Sequence, residues 1–226
     1  MKTSIVIFAL NEIDGMRSIM PRIKAEWYDE LIIVDGGSHD GTVEYARENG
    51  YFIFTQQRKG TGAAFQEAME KAAGDIVIMF SPDGNSIPEK IPELAAQIKK
   101  GYDIVIASRY YQGAKSYDDD LITFFGNRMF TALANLLFGS RISDVLVMYR
   151  AYRKDAVNKL RIDTLTPSWG TQILLRAVKK KLKIAEIPAD EPARIGGVRK
   201  MKPLKNGFYE LMMIIKEFLI RRRDVF

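Results

Sequence analysis

Short runs of consecutive apolar residues alternate with stretches of helical spacing through the first half of the chain. Ser4–Ala9, Leu31–Val34, Tyr51–Thr55, Ile76–Phe80 and Asp103–Ala107 read as strands. Residues 14–26, Thr42–Asn49, Ala63–Ala73 and Pro88–Lys100 read as the helices between them, the last three closed by Gly50, Gly74 and Gly101. Strands joined by helices of this length imply right-handed crossovers and a mostly parallel sheet. The strands are apolar on both faces, as such a sheet requires. The fold class expected is therefore α/β.

The second half has a different rhythm. Residues 124–138 form an apolar helix candidate with few charges, Val145–Tyr152 a strand, Thr171–Lys181 a helix, and Ile184–Ile187 a strand stopped by Pro188. Residues 192–206 read as a basic loop. Residues 208–220 carry apolar side chains at Phe208, Leu211, Met212, Ile215, Phe218 and Leu219, which is helical spacing. With no repeat or low-complexity linker, one domain over 1–206 followed by an amphipathic basic helix over 207–226 is expected. The apolar stretches look shorter than the roughly 18 residues of a spanning helix. The N-terminus reads as a strand and not a signal peptide, so a cytoplasmic protein is expected.

In an open parallel sheet, ligands bind beyond the carboxyl ends of the strands. The residues there are Asn11 and Glu12, Asp35 to Thr42, Ser81 to Asn85, and Ser108 with Arg109. The stretch Val34-Asp35-Gly36-Gly37-Ser38-His39-Asp40-Gly41-Thr42 places an acid at a strand end before a glycine turn. Asp35 can accept hydrogen bonds from a base or ribose, whereas Asp40 suits a helix cap. In Ser81-Pro82-Asp83-Gly84-Asn85, a carboxylate with oxygen ligands two residues to either side can hold a hard divalent cation. Taken alone, Pro82-Asp83-Gly84 reads first as a tight turn; its place on the same sheet edge as Asp35 shifts the reading to chemistry.

Charge sharpens the picture. Residues 1–175 have a balance of −2 and residues 176–226 a balance of +8, within a net charge of +6. A basic tail on a near-neutral body suits an anionic partner: a phosphorylated substrate, an anionic membrane face or nucleic acid. Arg58, Lys59, Arg109, Arg128, Arg194, Arg199 and Lys200 are the candidate anion contacts, and Gly60 and Gly62 open a helix behind Lys59. The chain has no cysteine and a single histidine, His39. Cysteine nucleophiles and thiolate metal sites are thereby excluded. Neither G-x-x-x-x-G-K-[ST], G-x-G-x-x-G after the first strand, nor G-x-S-x-G is present, which argues against P-loop, nicotinamide and serine-hydrolase chemistry.

In order along the chain, SIVIFALNE, VDGGSHDGT, KGTGAAFQEAMEKAAGDIVIMFSPDGN, ASRY, SDVLVMYRAYRKDAV and EIP…RIGGVRK resemble the family 2 glycosyltransferases of the GT-A fold. They are most similar to the dolichyl-phosphate mannose synthase and polyprenyl-phosphate glycosyltransferase branch. The likeness spans roughly residues 3–200 and implies an inverting, metal-assisted transfer from a nucleotide sugar. Its expected acceptor is a polyprenyl phosphate at the inner membrane face. Nucleic acid drops out as a partner; a homodimer or a separate membrane protein stays open.

The resemblance also implies site residues. Ala9, Asn11, Glu12, Asp35, Gly36 and Ser38 would bind the donor, with Lys59, Ser81, Arg128, Arg194 and Lys200 as further substrate contacts. Asp83 and Asn85 would hold Mg²⁺ or Mn²⁺. Asp83, Arg109 and Asp144 would be catalytic, Asp144 being the candidate base if the acceptor is a hydroxyl. Phe8, Gly36, Ser81 and Arg199 depart from the family pattern, Ser81 replacing the first Asp of Asp-x-Asp. The Gln-x-x-Arg-Trp motif of processive synthases is absent. A hydroxyl acceptor, a sugar-nucleotide-binding protein without catalysis, and a nucleotidyltransferase are the competing readings.

Overall fold

The computed structural model describes residues 1–196 and 202–220. Seven strands form one sheet: β1 (Thr3–Ala9), β2 (Glu30–Asp35), β3 (Phe52–Thr55), β4 (Ile76–Phe80), β5 (Ile104–Ser108), β6 (Arg150–Arg153) and β7 (Ile184–Pro188). Their order is β3-β2-β1-β4-β6-β5-β7. All pairings are parallel except those of β6, which runs antiparallel to both β4 and β5. The eight α-helices of the described residues are α1 (Ile13–Ile19), α2 (Thr42–Glu48), α3 (Thr61–Lys71), α4 (Ile91–Lys99), α5 (Leu121–Phe138), α6 (Lys154–Asn158), α7 (Trp169–Lys180) and α8 (Pro203–Leu219).

The strands bury both faces because helices cover both. On one side Ile5, Ile7, Ile33 and Ile78 meet Met16 and Ile19 of α1, Ala46 of α2, and Ile91, Leu94 and Ile98 of α4. On the other, Val6, Ile32, Val77 and Ile104 meet Phe65 of α3, Ala134 of α5, Trp169 and Ile173 of α7, and Ile214 of α8. Alternation along each strand thus feeds two cores, the reason both faces had to be apolar.

Several expected elements differ in extent. The first helix ends at Ile19 and gives way to 3₁₀ turns at Met20–Arg22 and Ala25–Trp27. Pro21 lacks the N–H that a continuing α-helix needs. The strand expected from Val145 begins only at Arg150, because the backbone before it wraps a carboxylate: the N–H groups of Leu146 and Val147 donate to Asp144 (3.2 and 3.1 Å). Arg150, fully buried, pins this loop by donating to the carbonyls of Val145 and Gly170, each at 2.7 Å. The last helix begins at Pro203, within the expected basic loop, while residues 197–201 and the arginine run 221–223 lie outside the described residues.

The expectation about spanning helices needs correcting. α5 starts at Leu121, earlier than predicted, and its 18 residues are long and apolar enough to cross a membrane by length and composition. Its buried stripe, however, is Thr123, Asn127, Thr131 and Ala134. Asn127 donates to Tyr110 Oη at 3.1 Å, and Thr131 Oγ1 accepts from the Val145 N–H at 3.2 Å. Polar side chains on the inner face fit a helix seated lengthwise on the protein.

α8 is fastened to α7 by buried charge. Glu217, with no exposed surface, accepts from Arg176 Nε (2.9 Å) and Gln172 Nε2 (2.8 Å), and Lys179 lies 3.4 Å from its other oxygen. Removing one partner of such a group leaves uncompensated buried charge. Glu217→Ala is expected to lower unfolding free energy by about 3 kcal/mol, measured by urea denaturation, with α8 detaching first in hydrogen exchange.

Candidate active site

The loops after β1 and β2 are stitched together by the polar residues of their own motifs. Ser38 Oγ accepts from the Asn11 N–H, and Asn11 Oδ1 from the His39 N–H, both at 2.8 Å. Asp40 accepts from the N–H groups of Ile13 and Thr42 at 3.0 Å and from the Thr42 hydroxyl at 2.6 Å. Burial would raise its pKa, but these bonds outweigh it and hold the carboxyl below its ordinary value. Asp40 thus ties the loop before α2 to the start of α1; the N-cap of α2 is Gly41, so the cap expected of Asp40 is not formed as such. Asp35 is buried and accepts from Gly37 N–H (2.9 Å) and Ser38 N–H (3.0 Å), bracing the turn it was expected to present to a ligand. Gly36 donates its N–H to the Ala9 carbonyl at 2.8 Å, so Ala9 and Gly36 fix the crossing of the two strand ends.

Two carboxylates from different loops converge on one guanidinium. Arg194 donates through Nη1 to both oxygens of Glu12 (2.9 and 3.1 Å) and through Nη2 to Asp83 Oδ2 (2.7 Å). Glu12 and Asp83 are buried. The other oxygen of Asp83 accepts from the Asn85 N–H at 3.1 Å. Asn85 donates its amide to Asp118 (3.1 Å), and its buried Oδ1 has no partner among the described residues. An unpartnered amide oxygen beside a carboxylate fits a hard cation. Among the described residues no three His, Cys, Asp or Glu side chains gather to hold an ion by themselves. An ion here needs oxygens from a ligand as well.

Next to this pair lies a second. Arg109 forms a bidentate bond to Asp144, Nε to Oδ2 at 2.7 Å and Nη2 to Oδ1 at 3.0 Å, and reaches Glu191 at 3.4 Å. Burial opposes both charges, yet their attraction and hydrogen bonds prevail, holding Asp144 below its ordinary pKa and Arg109 well above its own. Asp144 is fully buried and also accepts from three backbone N–H groups, of Arg109, Leu146 and Val147. Such a carboxylate suits anchoring Arg109 and not the proton acceptor that the sequence suggested.

The remaining candidates sit farther out. Lys59 is exposed. Gly60 and Gly62 serve packing: a Cβ at either would lie 2.3 Å from the carbonyl of Leu165 or Thr164. The Gly62 N–H donates to Leu165, so this helix start is partly committed to the protein. Arg128 is exposed on α5, its guanidinium 5.6 Å from the ring centre of Tyr110, over which Arg109 also lies at 5.2 Å. Lys200 lies outside the described residues.

One cavity of about 1020 Å³ joins these parts. Ser81, Asp83, Asn85, Arg109 and Arg194 line its polar end; Ile122, Met129, Phe130 and Leu133 of α5 and Leu204, Phe208 and Leu211 of α8 line its apolar wall. Asp118, Asp119, Glu191 and Glu210 also border it, and the sequence reading did not single them out. The acidic run Asp118-Asp119-Asp120 was the visible signal for the first two; only Asp120 is a helix cap, accepting from the Thr123 N–H at 2.7 Å.

A family model described as "Glycosyl transferase family 2" matches residues 4–161. The chain belongs to glycosyl transferase family 2. Over 221 residues this glycosyltransferase is 28% identical to the dolichyl-phosphate hexose transferase of Haloferax volcanii, covering 97% of this chain and 95% of that one. It is 24% identical over 236 residues to the polyprenol monophosphomannose synthase of Mycolicibacterium smegmatis, covering 98% and 88%. Its GT-A fold matches that of glucosyl-3-phosphoglycerate synthase from Mycobacterium tuberculosis, solved with Mn²⁺, UDP and phosphoglyceric acid. The TM-score is 0.76 at 20% identity, over 97% of this chain and 79% of that one.

Glu210 supplies a test of the cavity wall. It is buried on α8 and accepts from the Thr171 hydroxyl at 2.6 Å. Burial pushes its pKa up to about 7, against the opposing pull of Thr171 and Arg150. A carboxyl raised on folding destabilises the fold once it must ionise. That contribution is absent at low pH, grows as pH rises from about 4.5 and levels off above about 7. Glu210→Gln should therefore match the parent at about pH 4 and exceed it at about pH 8, by at most about 3 kcal/mol, read from urea unfolding across that range.

Proposed function

We propose that this glycosyltransferase moves a hexose from a nucleotide sugar to a polyprenyl phosphate at the membrane surface, with inversion at the anomeric carbon. The observation that carries this reading is the single cavity with a charged end at the strand termini and an apolar wall made by α5 and α8. The two curated relatives named above carry polyprenyl- or dolichyl-phosphate names over nearly their whole length. In the proposed reaction an acceptor phosphate oxygen bonds to the anomeric carbon as the bond to the nucleoside diphosphate breaks.

The residues at the strand ends suit this chemistry. Glu12 and Asp35 are the residues that the family resemblance gives to the nucleoside, and Asp83 with Asn85 Oδ1 offers oxygens for Mg²⁺ or Mn²⁺. Such an ion, shared with the diphosphate, would offset the charge that develops on the leaving group. Arg109, held in place by Asp144, presents a fixed positive charge in the same cavity. A phosphate monoester is largely ionised near neutral pH, its second pKa being about 6, and needs no base. Asp144's engagement with Arg109 agrees with that. Asp83→Ala is expected to cut transfer to a polyprenyl phosphate by a factor of about 10² or more, scored with a panel of labelled UDP-, GDP- and dTDP-sugars. Full activity in that variant would remove the proposed site.

The outward faces of α5 and α8 support the lipid acceptor. Leu121, Ile122, Phe125 and Met129 on α5 and Leu204, Phe208 and Leu219 on α8 are exposed, Leu204 at 90%. Apolar helix faces of this kind lie in a bilayer interface. The chain is expected to float with vesicles containing anionic lipid, less so as salt rises. Leu121→Asp with Phe125→Asp should weaken vesicle binding by about tenfold or more and leave nucleotide binding intact. No flotation at low salt would favour a soluble acceptor instead.

A further inference from the structure

The contact between Arg194 and Asp83 has a consequence for how the site fills. Asp83 and Glu12 are buried carboxylates from the loops after β4 and β1, and one guanidinium neutralises both. It does so as part of a seated segment. The Ile195 N–H donates to the Asp83 carbonyl at 2.7 Å, and the Arg194 N–H reaches Asp118 Oδ1 at 3.4 Å. Gly84, at φ +92°, passes so close beneath Ile195 that a Cβ there would lie 2.7 Å from its side chain. Arg194 therefore takes the position of a cation beside the carboxylate expected to ligate one.

We propose that Arg194 and a divalent cation compete for Asp83, so that the ion binds tightly only together with a nucleoside diphosphate that draws the guanidinium away. This rests on the reading of Asp83 as the ion's ligand. Three physical points carry it. A doubly charged ion placed on Asp83 with Arg194 still there would sit against a like charge in a poorly screened setting. Removing Arg194 without replacement would take from the buried Asp83 its one ion pair among the described residues, which is costly. Arg194 is itself incompletely satisfied, since its buried Nε has no partner among the described residues. A diphosphate offers a guanidinium a paired, charge-assisted acceptor. The exchange is favourable when both arrivals coincide: the ion takes over the carboxylate and the diphosphate takes over the arginine. Either alone leaves one charge unmatched.

Calorimetric titration of Mn²⁺ tests this without turnover, using the parent chain, Arg194→Gln, Arg194→Lys and Asp83→Asn, each alone and with saturating UDP or GDP. Mn²⁺ alone should bind Arg194→Gln about tenfold or more tighter than the parent. Arg194→Lys, which keeps the charge but not the fork that spans both carboxylates, should fall between them. Circular dichroism verifies that each variant is folded, and the lysine form keeps the test open if the glutamine form is not. Parent-like Mn²⁺ affinity in both Arg194 variants, with diphosphate-dependent binding still lost in Asp83→Asn, would overturn the competition and leave the ion site standing. Undiminished Mn²⁺ binding in Asp83→Asn with diphosphate present would instead overturn the ion reading on which it rests.

Discussion

Charge compensation at the carboxyl edge of the sheet is the constraint from which the rest of this protein follows. Glu12, Asp83, Asp119, Asp144 and Glu191 gather there and, among the described residues, Arg109 and Arg194 are the guanidiniums that meet them, while Asp118 beside them takes the Asn85 amide and the Arg194 backbone N–H. A parallel sheet delivers its strand ends to one side, so acids on separate loops end up as neighbours. Left unmatched they would oppose folding. Arg109 answers one group permanently, with Asp144 fully buried beneath it. Arg194 answers the other from a segment that carries it in from 182 residues away in the chain. One arginine is a fixture, the other a partner that can be traded, and that difference separates scaffold from chemistry.

The second organising feature is the two-sided character of α8. Its inner face carries Glu210, Met213, Ile214 and Glu217, and its outer face Phe208, Met212, Ile215 and Phe218. This departs from the usual plan, in which charge faces water, since two of the four inner side chains are carboxylates. The arrangement holds because α7 supplies Arg176, Lys179 and Thr171 to meet the buried carboxylates. Polar anchoring leaves the apolar outer face unused by the fold. A helix built this way is tied to the protein by hydrogen bonds and is free to present hydrocarbon to something else.

Much of the sheet was legible because five of its strands are short apolar runs, three of them ending at an acid or a serine: Asp35, Ser81 and Ser108. The local bond of Asp40 to Thr42 was legible because its partner lies two residues ahead, whereas its tie to Ile13 on the adjoining loop was not. What could not be read were contacts set by tertiary geometry. Nothing local in Glu12 announces Arg194, and nothing in the amphipathic spacing of α8 says that Glu210 faces a cavity. The apolar stretch from Val145 reads as strand from its composition. Its backbone is instead turned about Asp144, a choice made by the buried Arg109 that the carboxylate must meet. The Gly60 and Gly62 pair looks like an anion cradle but answers to the close approach of Thr164 and Leu165.

The role of Asp144 also bears on the acceptor. Attack by a hydroxyl requires a carboxylate that can take its proton, and that carboxylate must be reachable and not already saturated. Asp144 meets neither condition, with five donor groups on its two oxygens and no exposed surface. Glu191 is engaged by Arg109 and by the hydroxyl of Ser116, and Asp119 by the Tyr110 hydroxyl and the Asn127 amide. The acids nearest Arg109 are thus taken up in holding a positive charge at the cavity. A fixed guanidinium contributes little to deprotonating an alcohol but directly to seating an anion. The arrangement around Arg109 is therefore better matched to a nucleophile that arrives already ionised, and the apolar wall that continues from it is matched to the hydrocarbon such a nucleophile would carry.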